Sequence, residues 1–140
     1  MFCERYDAMS SVSSRNAFLL DTIISIGCRV DEGFNSTVYR QLQSRLRDHL
    51  ASLLINTESP TPEDIQAITL MAAYSDNGFV HIALALRFAL QLDLPKAVDE
   101  LVSEPISSLP EVQRLYRLSR IWHCVCNFEL LYADLMRMPI

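Results

Sequence analysis

The sequence predicts an all-α protein, an array or bundle of about six to seven helices packed as antiparallel hairpins. Half of the 140 residues are hydrophobic, which is ample for a core and too much for a disordered chain. Only three glycines and six prolines are present, which favours long helices over many short strands. Apolar residues recur at helical spacing along most of the chain. We therefore expect residues 1–140 to form a single helical domain.

The first long apolar segment runs from Asn16 to Cys28 and follows a serine-rich stretch, Ser10–Ser14, that is typical of a turn. Isoleucines within the segment would also suit a buried strand. Its length, and the lack of a second strand-like segment in the sequence, favour a helix. Within this helix Gly27 is expected to mark a close helix crossing.

The next helix is predicted over Thr37–Ile55, after a break at Asp31–Asn35 and with Asn35 or Ser36 as its cap. Its leucines share one face of the helix, and they are Leu42, Leu46, Leu50 and Leu53. Its arginines, Arg40, Arg45 and Arg47, do not share a face and stand beside Asp48. This distribution favours a solvated surface over a phosphate-binding strip.

A helical hairpin is predicted over Ser59–Leu94. Thr61 is a good N-cap and Pro62 suits the first helical position, where its missing N–H costs nothing. Asp76–Gly78 is expected to stop the first helix, because Asn and Gly tolerate a positive φ. The second helix is apolar almost all round, as in a helix buried within an all-α protein, and ends before Pro95. It is too short and too often interrupted by polar residues for a membrane span, so no membrane is expected.

The C-terminal part is predicted to hold a short helix, Ala97–Val102, and a long helix from Pro110 to about Met136. Three arginines near the start of the long helix oppose its dipole and so call for carboxylate partners. They are Arg114, Arg117 and Arg120, and the expected partners are Asp93, Asp99 and Glu100.

Composition and motifs exclude most catalytic and metal-binding classes. The net charge of −5 disfavours direct contact with nucleic acid, where a basic surface normally carries the affinity. Phosphate-binding glycine loops, a nucleophile elbow and a zinc-protease motif are all missing from the sequence. The three histidines lie on three different predicted helices, and the four cysteines form no C-x-x-C pair. We therefore predict no catalytic residue, no metal ligand, reduced thiols and a non-enzymatic intracellular protein.

A small-molecule effector site is a further hypothesis, placed between the second hairpin helix and the last helix. Arg87, Gln91, Trp122 and His123 are polar or amphipathic groups on otherwise apolar helices, the usual makeup of a ligand site. The alternative is that all four occupy ordinary helix-packing positions.

Three segments in the same order resemble the middle regulatory domain of fungal zinc-cluster transcription factors, the fungal-specific transcription factor domain. SPTPEDIQAITLMAAYSDNG is similar to the family's E-x-(I/L)-Q-A-L helix, with Gln66 and Ala67 in place. ALALRFALQLDL is similar to its A-(I/L)-R-x-A-x-x-L-G-L segment, with Asp93 where glycine is usual. RLSRIWHCVCNFELLYADLMRMP is similar to its R-x-x-W-W segment and final G-R-P, in which Trp122 and Pro139 match and Arg120 stands one residue after the arginine position.

The resemblance implies an incomplete part of a larger α-helical regulatory domain in a nuclear protein. Such a domain controls transcription by restraining an activation region, by responding to small effectors or partners, or by supporting self-association. Zinc is then expected only in an upstream DNA-binding cluster that this sequence lacks, with no cofactor in the chain itself and no direct contact with nucleic acid. Two alternatives remain open: a generic α-helical protein–protein interaction scaffold, and a small helical enzyme or lipid-binding protein with a pocket between apolar helices.

Overall fold

The computed structural model describes residues 9–55, 59–103 and 108–137, and these residues form helices and no strand. The all-α fold of packed helix pairs that the sequence predicts is confirmed. The helix predicted over Thr37–Ile55 matches at both ends, and the helix predicted from Pro110 to about Met136 begins and ends within one residue of its prediction. The helices are α1 Met9–Arg15, α2 Ala17–Glu32, α3 Thr37–Ile55, α4 Pro62–Ala73, α5 Gly78–Gln91, α6 Leu94–Ser103 and α7 Leu109–Arg137.

The serine-rich stretch at residues 10–14 is helical, so the predicted turn is wrong. Val12 in α1 is fully buried in the core, and this packing outweighs the weak helix propensity of the serines. Asn16 separates α1 from α2 and caps α2, since its side-chain oxygen accepts a hydrogen bond of 2.8 Å from the backbone N–H of Leu19. The same side chain donates to Asp64 over 2.9 Å and so ties α2 to α4.

The helices α2 and α3 form an antiparallel pair, which we call the outer hairpin. Gly33, at φ 78°, ends α2 in the left-handed region, and the Ser36 hydroxyl accepts a hydrogen bond from the backbone of Tyr39 at the start of α3. Contacts between the helices join early α2 residues to late α3 residues, which establishes the antiparallel direction. Gly27 is exposed and no atom lies within 4 Å of the position that a Cβ would take, so the close crossing predicted there is wrong.

The hairpin of α4 and α5 begins at the predicted N-cap, Thr61, which forms a capping box with Asp64. The Thr61 hydroxyl accepts from the Asp64 N–H over 3.2 Å, and the Asp64 carboxylate accepts from the Thr61 N–H over 2.8 Å. The prediction that Asp76–Gly78 stops the first helix is wrong. The helix α4 already ends at Ala73, and Gly78 is the first residue of α5. Gly78 has no positive φ; it is needed because a Cβ would overlap the Ala72 carbonyl and the Tyr132 hydroxyl.

The helices α5 and α6 meet at a bend of 55°, which is formed at Asp93. Asp93 has φ 58°, the one non-glycine residue in the described parts of the chain with a positive φ. Pro95 lies in the first turn of α6, where proline is tolerated, and does not itself end α5 as predicted. The helix α6 therefore begins at Leu94, three residues before the predicted start at Ala97.

The core is centred on α4, α5 and α7, which pack against one another and which we call the central group. Contacts at both ends show that α4 and α7 run in parallel, because Glu63 meets Arg117 and Ala72 meets Tyr132. The apolar side chains of this group that are fully shielded from solvent are Ile65, Ala67, Ile68, Ala72, Ile82, Ala85, Ala89, Ile121 and Val125. Among the described residues no single helix meets the length and hydropathy expected of a membrane span, and α5 with α6 does so only as a bent pair.

The arginines at the start of α7 have other partners than predicted. Arg114 pairs with Glu111 over 2.8 Å within the same helix turn. Arg117 is buried and pairs with Glu63 on α4 over 2.8 Å, and it also donates to Gln66 over 3.1 Å. The direct partners Glu111 and Glu63 thus differ from those expected. The expected Glu100 is an electrostatic neighbour of Arg114, because the pKa of Arg114 is raised by the hydrogen bond to Glu111 and also by the charge of Glu100. The parallel arrangement explains the result, because it sets the acidic first turn of α4 beside the basic start of α7.

Candidate functional site

The predicted effector residues on α5 lie on its outer side. Arg87 and Gln91 are exposed, whereas Ile82 is fully buried against the core. At 3.6 residues per turn, Arg87 and Gln91 lie about 140° and about 180° around the helix from Ile82. Both side chains therefore face away from the central group.

The predicted effector residues on α7 differ from each other in environment. Trp122 is half-buried and packs against the core, whereas His123 is exposed. The Nδ1 atom of His123 lies 2.7 Å from the Ser119 carbonyl oxygen, which can only accept, so this nitrogen carries a proton and donates. Among the described residues, no hydrogen bond or ion pair joins the α5 pair to the α7 pair, and the effector site predicted from these four residues stays a prediction.

A cavity of about 290 Å³ lies elsewhere, where the outer hairpin meets the turn between α4 and α5. None of the four predicted residues lines it. One wall is a single stripe of α2, formed by Thr22, Ser25, Ile26 and Arg29 at helical spacing.

The opposite wall of the cavity is a stripe of α3, formed by Tyr39, Gln43, Leu46 and Arg47. The two walls are joined at their base, because the Gln43 amide donates to the Ser25 hydroxyl over 2.7 Å. The end wall comes from the last turn of α4, from the turn between α4 and α5 and from the first turn of α5, and consists of Met71, Tyr74, Ser75, Asn77 and His81.

Arg29 is held at the cavity by three contacts with two residues, Phe34 and Tyr74. Its guanidinium donates to the Tyr74 carbonyl and lies 4.3 Å from the centre of the Phe34 ring and 6.0 Å from that of Tyr74. A guanidinium has five N–H donors, of which this hydrogen bond occupies one. Within the described part of the chain, Arg29 therefore combines a fixed position with further N–H donors that bind no other residue.

The cavity lining is cationic, although the protein as a whole carries a net charge of −5. Arg29 and Arg47 both line it, and within the described ranges neither forms an ion pair with a carboxylate. No aspartate or glutamate is among the lining residues. The electrostatic potential within the cavity is therefore expected to favour a negative charge.

His81 contributes a neutral ring to the end wall at pH 7. Burial lowers the pKa of His81, and the Asn77 carbonyl opposes this effect only in part. The imidazole then presents one donor and one acceptor nitrogen, and gains positive charge only under acidic conditions.

The described residues match neither of two kinds of chemical site, a metal centre and a reactive thiol. Among the described residues, no cluster of three or more His, Cys, Asp or Glu side chains could hold a metal ion. The described cysteines Cys28, Cys124 and Cys126 are half-buried free thiols, and Cys3 lies outside the described residues. Burial raises the pKa of Cys124 and Cys126, which keeps both as unreactive thiols at neutral pH.

A usable sequence signal for the cavity exists but is weak. The cavity side of each helix is a stripe at helical spacing that mixes polar and apolar residues. The stripe of α2 consists of positions 22, 25, 26 and 29, and that of α3 of positions 39, 43, 46 and 47. Together, the three arginines of α3 predict a solvated surface and so do not reveal that Arg47 lines the cavity. The stripe on α3 becomes informative only when it is known that α2 lies opposite.

No protein-family model matches the chain, and neither a curated protein nor a solved structure matches it.

Proposed function

We propose that the chain is a non-enzymatic regulatory domain of a fungal transcription factor, which acts through contacts within the protein, with an effector or with a partner. The three segments that resemble the fungal-specific transcription factor domain lie on α4, α5 with its following bend, and α7. These helices are the central group, so the resembling residues belong to one packed unit. This common packing is the observation that carries the proposal.

Particular residues of the resembling segments have a structural reason for their identity. Gln66, part of the Q-A pair, is fully buried and accepts a hydrogen bond from Arg117 on α7. Asp93 stands where the family has glycine, and the backbone there has φ 58°, a conformation that glycine adopts most easily. Both observations support the alignment of the segments with the family's pattern.

A reporter experiment tests the proposal. The chain is inserted between an unrelated DNA-binding domain and an activation region in a fungal reporter strain. A regulatory domain is expected to lower reporter output, and disruption of its core by Gly78→Ala is expected to restore it. Gly27→Ala, which adds the same methyl group at an open position, should leave the output low. Equal reporter output from the intact chain and from Gly78→Ala, at equal protein levels, would contradict the proposal.

A general interaction scaffold is the second candidate, and it is favoured by exposed apolar side chains near the end of α7. Leu130, Leu131, Leu135 and Met136 are each at least half exposed. An apolar patch of this kind often marks a protein interface. Affinity purification from a native extract separates the two candidates, because chromatin and transcription proteins support the first and a different assembly supports the second.

A further inference from the structure

We propose that the cavity between the outer hairpin and the turn before α5 binds a small anion, a molecule that carries a carboxylate or phosphate group on a compact apolar body. The proposal deepens the proposed function, because the bound anion would be the effector of the regulatory domain. The first argument is charge. Two arginines that form no ion pair in the described chain line the cavity, and no carboxylate does.

The placement of the two arginines is the second argument. Arg29 stands on α2 and Arg47 on α3, so they approach the cavity from opposite walls of the outer hairpin. Arg29 is fixed by the Tyr74 carbonyl and by the Phe34 ring, which reduces the entropy lost when it binds a ligand. The planar guanidinium presents paired donors that match the two oxygens of a carboxylate or phosphate.

The remaining lining defines the rest of the ligand. Ile26, Leu46 and Met71 supply an apolar surface, and Tyr39 supplies an aromatic one. Ligand pockets typically combine such an apolar lining with a few convergent polar groups. The volume of about 290 Å³ restricts the ligand to the size of a small metabolite.

Two hydroxyl groups of the lining form hydrogen bonds within the protein. The Thr22 hydroxyl donates to the Phe18 carbonyl over 2.8 Å, and the Ser25 hydroxyl accepts from Gln43. The nearby carboxylate of Asp21 is bound by Arg45 and His49, both over 2.9 Å, and does not line the cavity. The cationic groups that face the cavity are thus not neutralised by its own walls.

The test measures binding of benzoate and of phenyl phosphate to the purified full chain by ligand-detected NMR, with benzamide as the uncharged control of similar shape. Both anions are expected to bind more tightly than benzamide, and the tighter of the two identifies the preferred anionic group. Raised salt should weaken binding of the anions and leave binding of benzamide unchanged. Affinities for the two anions no higher than that for benzamide would overturn the proposal.

Matched arginine variants locate the binding. Arg47→Gln is expected to weaken anion binding by about tenfold, since a charge-assisted hydrogen bond is lost. Arg40→Gln removes an exposed arginine of the same helix that does not line the cavity, and should change the affinity little. Arg47→Lys keeps the charge and should retain part of the binding, which separates a loss of charge from a loss of structure. Equal losses in Arg47→Gln and Arg40→Gln would also overturn the proposal.

The binding test and the reporter test fail independently. Anion binding without any effect of the chain on the reporter would refute the regulatory function and leave the site in place. A regulated reporter combined with an affinity for the anions equal to that for benzamide would refute the anion site and leave the regulatory function in place.

Discussion

The central group and the outer hairpin differ in how many apolar side chains they bury, although the central group also contains the polar contacts of Arg117 with Glu63 and Gln66. In α4, α5 and α7 the buried contacts are made largely by isoleucine, alanine and valine side chains that are fully shielded from solvent. In the outer hairpin α3 buries only Leu42 and Leu46, and several of its links to α2 are polar. On α2 the polar side chains of Asp21, Thr22 and Ser25 are buried beside Phe18 and Leu19.

The difference separates stability from recognition. Apolar side chains pack to high density and leave few voids, so the central group is suited to hold a fixed shape. Polar contacts are directional and leave space where their geometry does not fill the interface. The cavity lies where the polar outer hairpin joins the central group. We therefore expect changes in the central group to alter stability most, and changes around the cavity to alter binding most.

Two glycines in helices give the largest expected contrast. Gly78→Ala places a methyl group against the Ala72 carbonyl and the Tyr132 hydroxyl in the central group, and backbone atoms cannot easily move away. We expect a loss of about 3 kcal/mol in the free energy of unfolding, measured by urea denaturation. Gly27→Ala adds the same group to α2 in open space and should raise the free energy of unfolding by about 0.5–1 kcal/mol. If the two variants change the free energy of unfolding equally, or if Gly78→Ala leaves it unchanged, the central group is not the more tightly packed region.

The buried carboxylate of the outer hairpin gives the next largest effect. The Asp21 side chain is 3% exposed and is bound by Arg45, whose side chain is 61% exposed, and by His49. Asp21→Asn keeps the shape and removes the charge, and we expect it to lower the free energy of unfolding by about 2 kcal/mol. Because Arg45 can turn to water, the loss should be smaller than for a fully enclosed ion pair.

Asp48→Asn is the matched control for Asp21→Asn, because Asp48 is an exposed aspartate on α3. Its effect on urea denaturation should stay within about 0.5 kcal/mol. If Asp21→Asn also stays within this range, the outer hairpin is held by its apolar contacts, and the contrast with the central group disappears.

The sequence predicts local structure well where the signal is local. The bounds of α3 and the start of α4 follow from amphipathic spacing and from Thr61 with Pro62, which act within a few residues. The role of Gly78 could not be predicted, because the contact that requires glycine comes from Tyr132 on another helix. Gly27 stands in an equally apolar sequence, yet no other group approaches it.

Contacts between distant helices also explain why the partners predicted for Arg117 are incorrect and why the cavity is not predicted. Glu63 is 54 residues from Arg117, and their pairing depends on α4 and α7 being parallel. The cavity needs the relative positions of α2, α3, α5 and the turn before α5. A single sequence shows which residues share a face of one helix and does not show which two faces meet.

Substitutions at two residues with a positive φ are expected to change the free energy of unfolding least. One residue lies in a turn beside the central group and the other in the turn of the outer hairpin. Asp93, between α5 and α6, has φ 58°, and Gly33, between α2 and α3, has φ 78°. A non-glycine residue in this region costs about 1–2 kcal/mol, less for Asp because its short side chain tolerates it. Asp93→Gly should therefore raise the free energy of unfolding by about 0.5 kcal/mol, and Gly33→Ala should lower it by about 1 kcal/mol.

Thermal and urea denaturation of both variants measure the change in the free energy of unfolding, which is expected to be a gain for Asp93→Gly and a loss for Gly33→Ala. Asp93→Gly also restores the residue that the resembling family segment carries at the bend, so a gain in stability shows that the backbone there favours glycine. A loss on Asp93→Gly would mean that the Asp93 side chain supports the bend through contacts of its own, which would remove this position from the support for the family resemblance. The expected loss of stability in Gly33→Ala does not depend on the family resemblance. This variant is therefore the control for the premise that a side chain is strained at a positive φ.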